Sequence, residues 1–378
     1  MNQYKIAVIE GDGIGREVVP EGLRVLEAAG RRYNVTFSWK HFDWSCETYL
    51  RTGRMMPEDG LDRLRGFDAI YLGAVGYPGV PDHVSLWGLL IPIRRSFQQY
   101  VNLRPVRLLQ GVESPVKGFP PGKIDFSIVR ENNEGEYSEV GGRLNHNTST
   151  EIALQETVFT RRGCDRIMRY AFDLARTRKH HVTSATKSNG IIHTMPFWDE
   201  RFAAVAGDFP DVRADQYHID ILTAHFVRHP DWFDVVVGSN LFGDILSDLG
   251  AAVVGSIGLA PSANLNPERE YPSMFEPVHG SAPDIAGKGI ANPIAQIWSG
   301  GMMLKHLGQL NAARAVEKAL EAVLADSDVL TPDLGGKAST REVGEAVAQE
   351  LALVAESECG FDSHWRLGRI LLAGSPTK

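Results

Sequence analysis

The first fifteen residues, MNQYKIAVIEGDGIG, set an apolar run (residues 4–9) directly against a glycine-dense turn. Residues 14–29 then carry Val18, Val19, Leu23, Val25 and Leu26 at helical spacing. Residues 33–42 alternate as a half-buried strand does, 56–64 read as a short helix, and 67–72 as a buried strand. A chain that opens β-α-β is committed to an α/β architecture with a largely parallel sheet, because parallel neighbours must be joined by crossovers. Its 378 residues are enough for two or three domains.

The glycine turn GDGIG (Gly11 to Gly15) sits where a dinucleotide fingerprint would. Its third glycine falls two residues after the second where three are required, and no ribose-binding acid ends an obvious second strand. We read it as a tight structural turn with Asp12 near a helix N-terminus, and a standard Rossmann domain is rejected. With 39 Lys and Arg against 47 Asp and Glu the net charge is −8, and no basic block stands out. That balance argues against nucleic-acid and anionic-membrane partners. Cys46, Cys164 and Cys359 are widely spaced and odd in number, so neither a disulfide framework nor a zinc pattern is expected. The most apolar stretch, 234–260, is interrupted by Asp244 and Asp248 and does not read as a membrane span. The opening runs into a strand rather than a signal peptide, so the expectation is a cytoplasmic enzyme.

Further along, 123–129 reads as a strand, and 131–152 is polar, glycine-rich and short of residues to bury. That segment is either an arm reaching a partner subunit or a plain surface loop. Helix is expected over 160–177, from 192 and from 219, and strand over 180–185, near 212–217 and over 234–237. Residues 240–254 read as helix, 255–291 as loop, and 293–306, 312–324 and 342–355 as helices. No repeat or linker appears, so two domains are inferred from size alone, consecutive or interleaved.

Arg94, Arg95, Arg104, Arg107 and Arg130 cluster near element ends. A guanidinium fork suits carboxylates, and Arg104 (before Pro105) and Arg130 (beside a Glu/Asn-rich loop) are the better candidates. In NLFGDILSD, Asp244 and Asp248 lie four residues apart on one apolar-flanked helical face. Two like charges there call for a hard divalent cation, Mg²⁺ or Mn²⁺, with a solvated acidic face or an N-cap as the bland alternative. Asp220 would supply a third carboxylate. Tyr137 and Lys187 are of a type that moves protons. The loop EPVHGSAPDIAGKGIANP (276–293) combines small residues, an imidazole, an acid and an amide, as a polar cofactor would need, or forms a structural omega loop.

Taken in order, GDGIG, LGAVG (72–76), NLRP (102–105), VREN with EGEYS (129–138), NLFGDILSD, GLAPSANL (258–265) and the 276–293 loop resemble the β-decarboxylating dehydrogenases over nearly the full chain. That family holds isopropylmalate, isocitrate, homoisocitrate and tartrate/D-malate dehydrogenases. The resemblance implies an isopropylmalate-dehydrogenase-like α/β fold, not Rossmann, with residues 1–101 and 256–378 forming the cofactor-side domain. Residues 102–255 would form the central one, with an arm at about 131–156 clasping a homodimer. It also implies Arg94, Arg104 and Arg130 as substrate-carboxylate ligands, and Asp244 and Asp248 as metal ligands joined by the neighbouring subunit's Asp220. Lys187, also from the neighbour, would deprotonate the hydroxyl, and Tyr137 would protonate the enol. His279, Gly280, Ser281, Ala282, Asp284, Ile285 and Asn292 would hold the adenosine. NADP-using members carry Lys-Tyr where Asp284 and Ile285 stand, so NAD is expected, with a monovalent cation (K⁺) as a further family requirement.

Substrate choice in this family is read at the helix before Arg94. Here the segment DHVSLWGLLIPIR brings Trp87, Leu90, Ile91 and an unusual intrahelical Pro92. A pocket filled by Trp87 would favour hydrogen or hydroxyl on carbon 3, and the stretch most resembles the tartrate/D-malate branch. The alternatives are isopropylmalate as substrate, should Trp87 point away, or a non-catalytic regulatory subunit. Every catalytic residue type is present, which argues against the last.

Overall fold

A computed structural model describes residues 2–325 and 328–353. Its strands are β1 (Asn2–Gly11), β2 (Val35–His41), β3 (Ala69–Ala74), β4 (Val101–Arg107), β5 (Asp125–Glu131), β6 (Gly141–Leu144), β7 (Ile152–Gln155), β8 (His181–Thr186), β9 (Arg213–His218), β10 (Val235–Gly238), β11 (Pro261–Leu265) and β12 (Ser273–Pro277). The α-helices are α1 (Gly15–Tyr33), α2 (Cys46–Thr52), α3 (Gly60–Leu64), α4 (Asp82–Ser85), α5 (Ile91–Ser96), α6 (Arg161–Arg176), α7 (Thr194–Ala206), α8 (Ile219–Arg228), α9 (Asn240–Val253), α10 (Ile294–His306), α11 (Leu310–Ala325) and α12 (Thr340–Leu353).

Ten strands make one sheet in the order β2-β1-β3-β12-β11-β4-β5-β10-β8-β9. β2, β1, β3 and β12 run parallel, as do β5, β10, β8 and β9. β11 and β4 join the two sets by antiparallel pairings, so the halves run in opposite directions. Each half therefore presents its own set of carboxyl-end loops. β1, β3 and β12 lead into the Gly11, Gly76 and His279 turns; β5, β10, β8 and β9 lead into Arg130, α9, Lys187 and Asp220.

Both faces of the inner parallel strands β3 and β10, and of the later part of β1, are buried, which is why they read as continuous apolar runs. Along β1, Ile6 and Val8 pack with Val19, Val25 and Leu26 of α1. Ala7 and Ile9 face the other way, onto Leu89, Ile93 and Phe97. Each fully buried aliphatic side chain contributes about 1.5–3 kcal/mol.

Two expectations need correction. Residues 255–291 are not all loop, because β11 and β12 lie at the centre of the sheet with every residue buried. The helix read over 56–64 shrinks to α3, and β4 was not anticipated. Asp12 does stand at a helix N-terminus as read, though its carboxylate serves α2 rather than α1, which has no side-chain cap. That buried carboxylate accepts from Cys46 N, the first residue of α2, and from Gly76 N. The polar segment after β5 carries the exposed hairpin β6–β7, with Leu144, Ile152 and Leu154 open to solvent. Residues 354–355 of the last expected helix, and Cys359, lie outside the described residues.

Candidate active site

Three arginines that sequence could only nominate are nearly inaccessible: Arg94 is 8% exposed, Arg104 7% and Arg130 2%. Buried guanidinium groups must be paired. Arg94, on α5, bonds Glu276 Oε1 of β12 at 2.7 Å, and Asn264 of β11 steadies the same oxygen at 2.6 Å. Arg104, on β4, reaches Asp244 Oδ1 at 3.1 Å and Asp248 Oδ1 at 3.9 Å. Arg130, at the end of β5, meets Asp244 Oδ1 with one terminal nitrogen and Asn240 Oδ1 with the other at 2.7 Å. The Nε groups of Arg94 and Arg104 have no hydrogen-bond partner, so donors are left over for a ligand.

The approach of α9 to β5 depends on Gly243, since a Cβ there would lie 2.5 Å from that of Arg130. Ser239 caps α9 through Phe242 N, and Glu136 bonds both Ser239 Oγ at 2.7 Å and Leu241 N at 3.0 Å. A carboxylate at a helix N-terminus is favourably placed. This anchor sets the next residue, Tyr137, with its hydroxyl 3.1 Å from Asp244 Oδ2.

Burial pushes Asp244 up, but Arg130 and Arg104 outweigh it and hold the carboxyl below its usual range. Asp248 goes the other way: burial raises it, and Asp244 adds to the rise against the pull of Arg104. Tyr137 is raised by burial and by Asp244, which keeps its proton on. With side chains 32% and 60% exposed, Asp244 and Asp248 offer hard oxygen donors reachable from outside, the donor set Mg²⁺ or Mn²⁺ takes. Arg94, Arg104 and Arg130 are balanced by Glu276, Asp244 and Asp248. A divalent cation would tip that balance positive by the charge of a dicarboxylate.

Lys187 and Asp220 are not brought to this cluster. They pair with each other at 3.0 Å, and that bond pulls Asp220 below its usual range. Among the described residues of one chain, no group of three or more His, Cys, Asp or Glu gathers to hold a metal.

In the loop after β12, His279 is buried with Nε2 unpartnered, and burial lowers its affinity for a proton. A neutral imidazole with a free ring nitrogen fits a bound adenosine. Ser281 is buried, Ala282 adopts φ 40°, Ile285 is half-buried, and Gly280 and Asp284 are exposed. Asn292 is committed to Asp333 at 3.0 Å and to Ile294 N at 3.0 Å.

Ahead of Arg94, Leu86–Leu90 forms a π turn closed by Ile91 N to Leu86 O. Pro92 follows this wide turn directly, where the loosened ladder accommodates a ring nitrogen with no N–H to give. Ile91 is buried and Leu90 half-buried. The half-buried Trp87 has the Arg95 guanidinium 4.9 Å from its ring centroid, and Arg95 also donates to the Tyr137 carbonyl. Glu276, Asn240, Glu136 and Arg95 are site residues that sequence reading either missed or left unassigned. Glu276 and Glu136 stood inside quoted motifs, but nothing local marked their partners.

The arginine cluster sets three buried guanidinium groups on paired carboxylates, in a sheet of two opposed parallel halves, a charge arrangement that suits a small acid. The sequence pattern of the isocitrate/isopropylmalate dehydrogenase family matches residues 5–347, and the chain belongs to that family. It is 58% identical over 357 residues to D-malate dehydrogenase [decarboxylating] of Escherichia coli (strain K12), covering 92% of this chain and 99% of that protein. Tartrate dehydrogenase/decarboxylase of Pseudomonas putida is 58% identical over 360 residues, covering 93% and 98%. The crystal structure of isocitrate dehydrogenase from Methylococcus capsulatus matches with a TM-score of 0.83 at 34% identity, over 92% of this chain and 99% of that one. The non-Rossmann α/β fold and the decarboxylating-dehydrogenase class read from the sequence both hold.

Proposed function

We propose that this enzyme oxidises and β-decarboxylates a small 2-hydroxy dicarboxylate, D-malate or tartrate, using NAD and Mg²⁺ or Mn²⁺. The observation that carries the reading is the convergence of Arg104 and Arg130 on Asp244, one helical turn from Asp248. The names of the 58%-identical relatives support the substrate. Residues 1–101 and 256–378 would form the cofactor-side domain and 102–255 the central one. Two copies would share sites, each lending Lys187 and Asp220 to the other and clasping it with the β6–β7 hairpin. Cys46 and Cys164 are unpaired and buried, as suits the cytoplasm.

When bound, NAD accepts the hydride from C2, and the divalent ion draws electron density from the hydroxyl and carboxylate oxygens. Arg94, Arg104 and Arg130 orient the two carboxylates. The partner's Lys187 takes the hydroxyl proton at Nζ as the C2 hydride leaves. The C3–carboxylate bond then breaks, releasing CO₂ and leaving its electron pair in an enolate, and Tyr137 gives its hydroxyl proton to C3 to complete the ketone. Asp284, exposed on the cofactor loop, would accept from the ribose hydroxyls and repel a 2′-phosphate.

The deciding measurement is kcat/KM on D-malate, (+)-tartrate and 3-isopropylmalate with NAD and Mn²⁺, with and without K⁺. We expect D-malate or tartrate to lead by at least about tenfold. A preference for 3-isopropylmalate overturns the substrate assignment.

A further inference from the structure

The turn that fails as a dinucleotide fingerprint is tied to the cofactor loop from the far end of the sequence. Glu17, in the first turn of α1, accepts from Gly287 N at 2.6 Å and from Gly289 N at 2.8 Å. Both glycines are in the left-handed region, φ 78° and 64°. Neighbouring amides presented this way form a nest for an anion, and here the anion is the chain's own carboxylate.

The same turn grips the loop elsewhere. Ile14 N donates to Ser281 O at 2.9 Å. Gly13 approaches so closely that a Cβ would lie 2.1 Å from Ser281 O. Ile14, Val18 and Ala291 form a small apolar cluster against which Ala282, Ile285 and Ala286 pack. Thr340 closes the opposite flank, donating to Gly289 O at 2.9 Å and Ala291 O at 2.6 Å. Of these ties, only Glu17 holds the segment Gly287-Lys288-Gly289 from the α1 side, and that segment has the greatest freedom to lose.

We propose that Glu17 is a positioning residue for the dinucleotide: it fixes the backbone of 284–289 in the shape that receives the adenosine. The inference rests on the reading of 279–292 as the cofactor loop. Glu17 touches no reacting atom, so its effect falls on cofactor affinity through preorganisation.

The test is Glu17→Gln, whose amide offers one acceptor but turns a donor toward the second N–H. KM and Kd for NAD should rise about tenfold, while kcat at saturating NAD and KM for D-malate change less than about twofold. Amide exchange in ligand-free protein should quicken over 282–290. Glu17→Asp, which keeps the charge on a shorter arm, should recover part of the affinity. Unchanged NAD Kd and exchange overturn the proposal while leaving the proposed reaction standing. Equal losses in kcat and in KM for D-malate also overturn it, marking Glu17 as a general structural residue. Wild-type protein that binds NAD but does not turn over D-malate or tartrate fails the functional reading and leaves Glu17 intact. Wild-type protein that does not bind NAD overturns both.

Discussion

The arginine cluster and the Lys187–Asp220 pair are built to opposite standards. The first draws on α5, β4, β5, β12 and α9, and its guanidinium groups are almost fully enclosed. The second hangs beyond the ends of β8 and β9, with side chains 30% and 67% exposed and, among the described residues, only each other as ion-pair partner. Desolvated charges hold their geometry because separating them is costly, whereas an exposed pair is weak and readily exchanged. Under the proposed function, one chain would finish the carboxylate-binding half of a site and leave Lys187 and Asp220 on offer to a second chain.

The largest effect expected on this contrast is at Asp244. Asp244→Asn should lower Mn²⁺-dependent kcat/KM by about four orders of magnitude with the circular dichroism spectrum retained. Full activity would remove Asp244 from the metal site. Lys187→Ala should cost about a thousandfold in kcat. Mixing that variant with Asp244→Asn and allowing subunits to exchange should restore about a quarter of wild-type activity, since mixed dimers hold one intact shared site. No recovery would assign Lys187 to its own chain's site and dissolve the contrast. The smallest effect is expected for Arg95→Lys, which keeps charge but loses the planar contact to Trp87 and the Tyr137 carbonyl. We expect kcat to fall about fivefold, with KM for NAD unchanged. No change would leave Tyr137 positioned by Glu136 alone.

Much of the fold was legible where structure is local. α9 announced itself through apolar spacing, and with it the pairing of Asp244 and Asp248. β11 and β12 did not, because Ser262, Asn264 and Glu276 look like turn and surface residues. They are buried only because Asn102 bonds Ser262 and Asn264, and Arg94 bonds Glu276. Hydropathy has no means of seeing such satisfaction when partners lie 182 residues apart, as Arg94 and Glu276 do. The arginine types were legible for the same reason that their pairing was not: guanidinium chemistry is written in one residue, its counter-charge in another element.

The π turn at Leu86–Leu90 bears on how the segment before Arg94 can change. It acts as one extra residue wound into an otherwise α-helical stretch. Deleting one residue there would return the stretch to plain α-helix and close the wide turn that carries Trp87 ahead of Arg94, a backbone change that no point substitution makes. If this segment lines the substrate as proposed, its range would depend on how many residues are counted out before the arginine as much as on which residues they are.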